Sequence, residues 1–350
     1  MATPDADEPQ TTPDAEEPQA APHPGEPQTT PDAEGPQNAP DAEGPGKGEP
    51  QAKTKAGFVA LIGAPNAGKS TLLNAVVGSK VSIVSHKVQT TRALVRGIAI
   101  EGEAQIVFVD TPGIFKPKRR LDRAMVTSAW GGAADADAVC LLLDARKGLD
   151  EEGEAILDKL PEVRRPKILI LNKIDLIERS RLLELSAKIN ERHPFAHTFM
   201  ISALKGDGID RLKRELAALM PEGPWLYPED QISDAPLRML AAEITREKIY
   251  ERLHQELPYE STVETDQWQP RPDGSVRIEQ TVFVERESQR KIVLGKGGQT
   301  IKAISQQARR EIAEIAEAPV HLFLFVKVRE NWSDDPERYR EMGLEFPRGG

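Results

Sequence analysis

The stretch Gly57-Phe58-Val59-Ala60-Leu61-Ile62-Gly63-Ala64-Pro65-Asn66-Ala67-Gly68-Lys69-Ser70-Thr71-Leu72-Leu73-Asn74 changes character twice. Gly57 to Ile62 is an apolar run of strand length, Gly63 to Ser70 fits G-x-x-x-x-G-K-[ST], and Lys69 to Val77 reads as a helix. Strand, loop and helix in this order make a phosphate cradle. Gly63 and Gly68 permit a turn without Cβ atoms, so that backbone N–H groups and the helix N-terminus point at one anion. Lys69 adds a positive charge beside the β- and γ-phosphates, and the Ser70 hydroxyl is placed to ligate Mg²⁺.

Three further blocks lie downstream. Asp110-Thr111-Pro112-Gly113 follows the strand-like run Ala104 to Val109, so Asp110 sits at a strand end, where it can hold Mg²⁺ through water. The Gly113 N–H can approach the γ-phosphate closely because no Cβ intervenes. Ile114 comes next, where some GTPases carry a water-orienting Gln; an apolar side chain cannot orient water, so slow intrinsic hydrolysis is expected. Asn172-Lys173-Ile174-Asp175 follows the strand-like Lys167 to Leu171 and specifies the base. Guanine presents an N1–H and an exocyclic amino group on one edge, and the Asp175 carboxylate can accept from both. Adenine cannot donate in that pattern, and a site built for two bonds rejects it by the polarity left unsatisfied. Asn172 is expected to tie this loop to the phosphate loop, with the Lys173 stem over the ring face and Ile174 as spacer. Ser202-Ala203-Leu204, after the strand His197 to Ile201, offers backbone N–H groups to the guanine O6. Between the first two blocks, Gln89-Thr90-Thr91-Arg92 lies in a polar stretch before the strand Leu94 to Ile100. A threonine here can close over the γ-phosphate and complete the Mg²⁺ shell, and the spacing leaves Thr90 and Thr91 both open.

Apolar runs and helical patterns alternate from Lys55 to about Met220, which predicts an α/β P-loop fold with a mostly parallel sheet and helices on both faces. Met220 to Asp234 is rich in Pro and Gly and reads as an interdomain connection. Beyond it the order is helix, two strands, two helices and a strand, the last pair of helices joined by Gly295-Lys296-Gly297-Gly298. An αββααβ order with a G-x-x-G turn is the layout of a type II KH domain, an α+β RNA-binding module. The expected organisation is therefore a disordered acidic Pro-rich tail over 1–52, a GTPase domain over 55–222, a linker over 223–235, a KH domain over 236–332 and a C-terminal extension over 333–350.

Charge is distributed accordingly. Residues 1–50 hold twelve Asp and Glu against one Lys, net −11, while the whole chain is −10, so the remainder is near neutral at +1. The acidic balance thus belongs to the tail and does not argue against nucleic-acid binding elsewhere. Residues 286–310 hold seven basic residues against Glu287, concentrating positive charge around the G-x-x-G turn. Arg286, Arg290, Lys291, Lys296 and Lys302, with Gly295, Gly297 and Gly298, are the candidate RNA contacts. The tail is acidic and lacks an apolar stretch, unlike a signal or transit peptide. One cysteine, Cys140 in an apolar run, rules out disulfide scaffolds and Cys-based metal sites, and no apolar stretch is long enough to predict a membrane span.

These residues closely resemble the bacterial Era GTPases, a likeness that covers about Gly57 to Phe346. It is carried by Gly63 to Asn74, Gln89 to Arg92, Asp110 to Gly113, Asn172 to Asp175, Leu257-Pro258-Tyr259-Glu260 and Ser288 to Gly298. The resemblance implies a monomeric switch in small-ribosomal-subunit assembly, whose KH domain grips the 3′ end of 16S rRNA while GTP is bound. It also implies Mg²⁺-dependent GTP hydrolysis, a 30S subunit partner, and a cytoplasmic location with peripheral association to the inner membrane. The acidic tail departs from the short start usual in that family. Two alternative readings are a nucleotide kinase, which needs neither the base reader nor an RNA module, and a membrane-surface GTPase switch binding lipid through 286–310.

Overall fold

The computed structural model describes residues 53–254 and 257–347; the expected disordered tail over 1–52 lies outside the described residues, as do 348–350 of the extension. From Lys55 the order is β1 (Lys55–Ile62), α1 (Lys69–Val77), β2 (Val95–Glu101), β3 (Ala104–Asp110), α2 (Arg120–Asp135), β4 (Ala138–Asp144), α3 (Glu151–Lys159), β5 (Lys167–Asn172), α4 (Arg179–Arg192), β6 (His197–Ile201) and α5 (Ile209–Leu219). The six strands form one sheet in the order β2-β3-β1-β4-β5-β6, parallel except for β2. The central strands are apolar at consecutive positions because both of their faces are covered. Val59 and Leu61 of β1 pack with Leu72 of α1 and Leu212 of α5, whereas Ala60 and Ile62 pack with Ala129 of α2, Ile156 of α3 and Leu182 of α4. Cys140 lies fully buried in β4, where burial pushes its thiol up and leaves it a core side chain. β1, β3, β5 and β6 end at the four sequence blocks, bringing all of them to the C-terminal edge of the sheet.

Met220 to Asp234 forms no helix or strand, as its prolines require, but it is pinned along the sheet edge. Gln105, fully buried in β3, accepts from the Leu226 and Tyr227 N–H groups at 2.8 and 3.0 Å and donates to Tyr227 O at 2.8 Å. A buried amide needs such partners, and this segment supplies them.

The second half runs α6 (Leu237–Arg252), β7 (Ser261–Pro270), β8 (Val276–Val284), α7 (Glu287–Leu294), α8 (Gln299–Ile315) and β9 (Val320–Val328). In the sheet β7-β8-β9, β8 is antiparallel to β7 and parallel to β9. The helices cover one face, with Ile278 and Val282 of β8 packed among Ile244 and Ile249 of α6 and Ile304 and Ile312 of α8. The described part of the C-terminal extension then folds back through a short helix, α9 (Pro336–Glu341). Trp332, Tyr339 and Leu344 form a cluster with Leu121, Ala124 and Met125 of α2. Among the described residues, no helix is long and apolar enough to cross a membrane.

Candidate functional site

The phosphate loop Gly63–Ser70 joins β1 to α1. Gly68 has φ +101°, and a Cβ there would stand 2.2 Å from the Asn172 amide nitrogen, so the position demands glycine twice over. Lys69 lies along the loop, its ammonium donating to Gly63 O and Ala64 O at 3.1 Å each. Burial pushes this ammonium down to about 8, against the pull of Asp110 and Glu152. Pro65 and Ala67 are buried, and Asn66, at φ 64°, donates to His86 O at 2.9 Å, which ties the loop to the stretch carrying Gln89–Arg92.

Behind the loop, hydroxyls converge on Asp110. Its Oδ2 accepts from Ser70 Oγ at 2.6 Å, Ser82 Oγ at 3.0 Å and Thr91 Oγ1 at 3.3 Å, and Ser70 and Thr91 stand 2.9 Å apart. Its Oδ1 is buried without a hydrogen-bond partner among the described residues. Burial raises the Asp110 carboxyl, opposed by Lys69 and the three hydroxyls. Thr91 thus joins this cluster, whereas the Thr90 hydroxyl donates to Lys87 O at 2.8 Å. Thr111 is pinned to Leu61 O at 2.8 Å, and Gly113 packs so closely on Pro65 that a Cβ would come within 2.9 Å of its ring. The Ile114 N–H donates to Gly63 O at 3.0 Å while its side chain is buried in the sheet core, so it presents no polar group to the cleft.

At the ends of β5 and β6, Asn172 joins three blocks through one amide. Its Nδ2 donates to Ala67 O at 2.9 Å, and its Oδ1 accepts from Lys173 N at 2.8 Å and Ala203 N at 3.0 Å. Lys173, at φ 66°, donates to Asn66 O at 2.7 Å and to Asp144 at 2.8 Å. Burial alone would raise the Asp144 carboxyl, but Lys173 and Arg146 hold it below its ordinary value. Ile174 opens the short turn that carries Asp175. Asp175 accepts from Ser202 Oγ at 2.8 Å and lies 3.6 Å from the Lys205 ammonium, and these two contacts hold it ionised below the ordinary range. The Ser202 N–H goes to Asp207 O at 3.0 Å, while Leu204 projects outward, 82 % exposed.

Several neighbours were not singled out in the sequence. Ser82 enters the Asp110 cluster because Asn74 Oδ1 accepts from the Val81 and Ser82 N–H groups at 2.9 and 3.0 Å. The string Thr71-Leu72-Leu73-Asn74 carried that signal, since an Asn on a helix next to a phosphate loop commonly bonds nearby backbone. Asp144 carried none beyond its place at a strand end.

The second candidate surface surrounds Gly295–Gly298. Gly295 has φ +72°, and a Cβ there would collide with Thr300, whereas Lys296 and Gly297 are exposed, with open space around Gly297. The turn leads directly into α8, whose N-terminal N–H groups lack partners within the helix. Lys291, Lys296 and Lys302 are exposed within or next to it, Arg286 is exposed at the opposite end of α7, and Arg290 is half-buried and donates to Val326 O and Glu287.

Residues 58–173 match the family model described as a 50S ribosome-binding GTPase, and residues 256–333 match that of a KH domain. The chain is 73 % identical over 299 residues to the GTPase Era of Bradyrhizobium sp. (strain BTAi1), covering 85 % of this chain and 97 % of that one. It is 74 % identical over 295 residues to the GTPase Era of Afipia carboxidovorans, covering 84 % and 96 %. Among solved structures, an Aquifex aeolicus Era variant bound to GDP·AlF4⁻ superposes with a TM-score of 0.79 at 40 % identity, covering 83 % of this chain and 99 % of that one. An Era in complex with MgGDPNP and nucleotides 1506–1542 of 16S ribosomal RNA gives 0.79 at 41 %, with the same coverage. With near-complete coverage at this identity, and with P-loop and KH folds in the order described, the chain belongs to the Era family and is a GTPase.

Proposed function

We infer that this GTPase is a switch in small-ribosomal-subunit assembly in the cytoplasm, binding the 3′ region of 16S rRNA and the 30S subunit through its KH domain and releasing them on GTP hydrolysis. The observation that carries the reading is the Gly295–Gly298 turn, with Lys296 and Gly297 exposed and with exposed Lys291 and Lys302 on the two helices it joins, in one chain with the nucleotide site. Glycine amides and a helix N-terminus approach a sugar-phosphate backbone, and the basic side chains add salt-sensitive attraction. The complex of a related Era with an rRNA fragment supports the same assignment.

At the nucleotide site, the Gly63–Ser70 loop amides and Lys69 hold the phosphates, while Asp175 reads the guanine edge; the Ser202 and Ala203 N–H groups are committed to Asp207 O and Asn172 Oδ1, which leaves the Leu204 amide to face O6. Asn172 keeps the two ends of the site in register. Ser70, Thr91 and Asp110 form an oxygen-only set of the kind a hard cation prefers, and the unpartnered Asp110 Oδ1 suits an ordered water at such a centre. When bound, Mg²⁺ neutralises charge on the phosphate oxygens. Catalysis by this chain is then positioning and electrostatics, and with Ile114 buried no side chain at that position orders the attacking water, which makes unassisted turnover slow.

A Gly297→Asp variant tests the RNA assignment. Aspartate tolerates the left-handed backbone at φ +59° and has open space, so the fold is retained while negative charge enters the turn. Affinity for a 3′ fragment of 16S rRNA should fall by about tenfold or more, with GTP affinity and the slow RNA-free hydrolysis unchanged. Undiminished RNA binding would remove the KH surface from the account.

A further inference from the structure

The stretch between α1 and β2 that carries Thr90 and Thr91 is held by the KH domain as much as by the GTPase domain. Ile83, 2 % exposed, is buried in the same cluster as Ala241 and Ile244 of α6. The Val84 N–H donates to Glu247 at 2.8 Å, and Lys87 donates to the carbonyls of Tyr250 and Leu253. Around the threonines the attachment is reciprocal. Arg246 of α6 donates through Nη2 to Thr90 O at 2.5 Å, and Tyr250 Oη donates to Gln89 O at 3.3 Å. Arg92 in turn donates to Ser261 O at 3.0 Å, Tyr259 O at 3.2 Å, Pro258 O at 3.3 Å and Tyr250 Oη at 3.2 Å. Thr91 lies between these two anchors, with its hydroxyl on Ser70 and Asp110.

Both arginines are buried, Arg246 at 1 % and Arg92 at 4 % exposure, so their bonds are shielded from competing water. Burial opposes the Arg246 charge, but Glu243, at 2.8 Å from Nε, and the Tyr250 hydroxyl more than compensate. Besides Arg246 and Tyr250, the backbone around Thr90 is tied by side-chain bonds, Gln89 Nε2 to Asp122 at 3.0 Å and Thr90 Oγ1 to Lys87 O at 2.8 Å, and not by a regular ladder. Gln89 has φ 58°, and residues 83–94 form no helix or strand. A segment without regular bonds takes one conformation only when outside contacts impose it.

We propose that Arg246, although it belongs to the KH domain, is a positioning residue of the GTP site. By fixing the Thr90 carbonyl it sets Thr91 where the γ-phosphate is recognised, so that the triphosphate form is selected by groups of both domains. The proposal rests on the reading of Thr91 as the γ-phosphate-side threonine. GDP lacks the γ-phosphate and does not call on that threonine, so discrimination between GDPNP and GDP isolates the effect.

Both affinities are measured in saturating Mg²⁺ on the full chain, for the wild type, Arg246→Ala, Arg246→Lys, Tyr250→Phe and Thr91→Ala. Arg246→Ala should weaken GDPNP about tenfold and leave GDP within about twofold, with Arg246→Lys recovering most of the loss. Tyr250→Phe removes a single hydroxyl and keeps the core filled; it should shift GDPNP affinity in the same direction by about threefold. General loosening of the fold would move both nucleotides or neither. The proposal is overturned if Arg246→Ala and Tyr250→Phe keep the wild-type ratio while Thr91→Ala lowers it. If Thr91→Ala also keeps the ratio, the reading of Thr91 fails and the proposal falls with it.

Discussion

Asp110 divides its two oxygens between different neighbours: Oδ2 gathers three hydroxyls, while Oδ1 is buried without a partner among the described residues. Asp175 is the opposite case: both of its oxygens have neighbours, Oδ1 the Ser202 hydroxyl at 2.8 Å and Oδ2 the Lys205 ammonium at 3.6 Å, and these contacts hold it ionised. That difference gives a direct prediction for Asp175→Asn. The amide keeps one acceptor for Ser202 but turns the other position into a donor, which faces the guanine amino group. GTP affinity should drop by about a hundredfold or more, and xanthosine triphosphate, which carries a carbonyl at that edge, should bind better than GTP. Equal GTP affinity in a nucleotide titration would remove Asp175 from base reading. That the four blocks gather at one edge of the sheet was readable from the chain, because each follows an apolar run of strand length. The choice between Thr90 and Thr91 was not, because two adjacent threonines have the same composition and spacing. In the structure their hydroxyls go to different partners, Thr90 to Lys87 O and Thr91 to Ser70 and Asp110, while the Thr90 carbonyl is held by an arginine more than one hundred and fifty positions away.

Elements with several periods of apolar residues were legible, and the long helices and strands lie close to where the pattern puts them. Two segments were not. Met220 to Asp234 reads as a break in every period, and its place on the sheet comes from scattered polar contacts, the buried amide of Gln105 on Leu226 and Tyr227, the Trp225 indole on Glu103 O and the Ile98 N–H on Ile232 O. Among its described residues, the C-terminal segment holds only a 3₁₀ turn over Trp332–Asp334 and the short α9, too brief for a period to show, and is anchored by a few large side chains instead. Trp332 is 1 % exposed, donates from its indole to Glu260 O at 3.1 Å and lies 5.6 Å from the Arg92 guanidinium. Replacing it by alanine should cost about 3–5 kcal/mol of stability in denaturant unfolding. A loss below about 1 kcal/mol would mean that the segment rests on the GTPase domain without holding it. This segment also packs on α2, which follows Asp110–Gly113 in the chain, while Trp332 lies beside Arg92 of the Gln89–Arg92 stretch.

At the scale of the whole molecule, the two halves share side chains rather than a flat contact. Ile83 from the GTPase side lies in a KH core cluster, and Arg246 from the KH side reaches the backbone beside the nucleotide site. A ligand can shift such an assembly only through differential affinity for its states, and coupling of this kind is reciprocal. If GTP favours the arrangement that binds RNA, RNA favours the one that binds GTP. The near-neutral charge of the chain beyond residue 50, with its basic cluster over 286–310, makes the RNA contact local and salt-sensitive, so the comparison must be made at one fixed salt concentration. The decisive measurement is the affinity of the full chain for a 3′ fragment of 16S rRNA in saturating Mg·GDPNP and in saturating Mg·GDP. The GDPNP form should bind about tenfold or more tightly; equal affinity in the two states would leave an RNA-binding GTPase and contradict the switch.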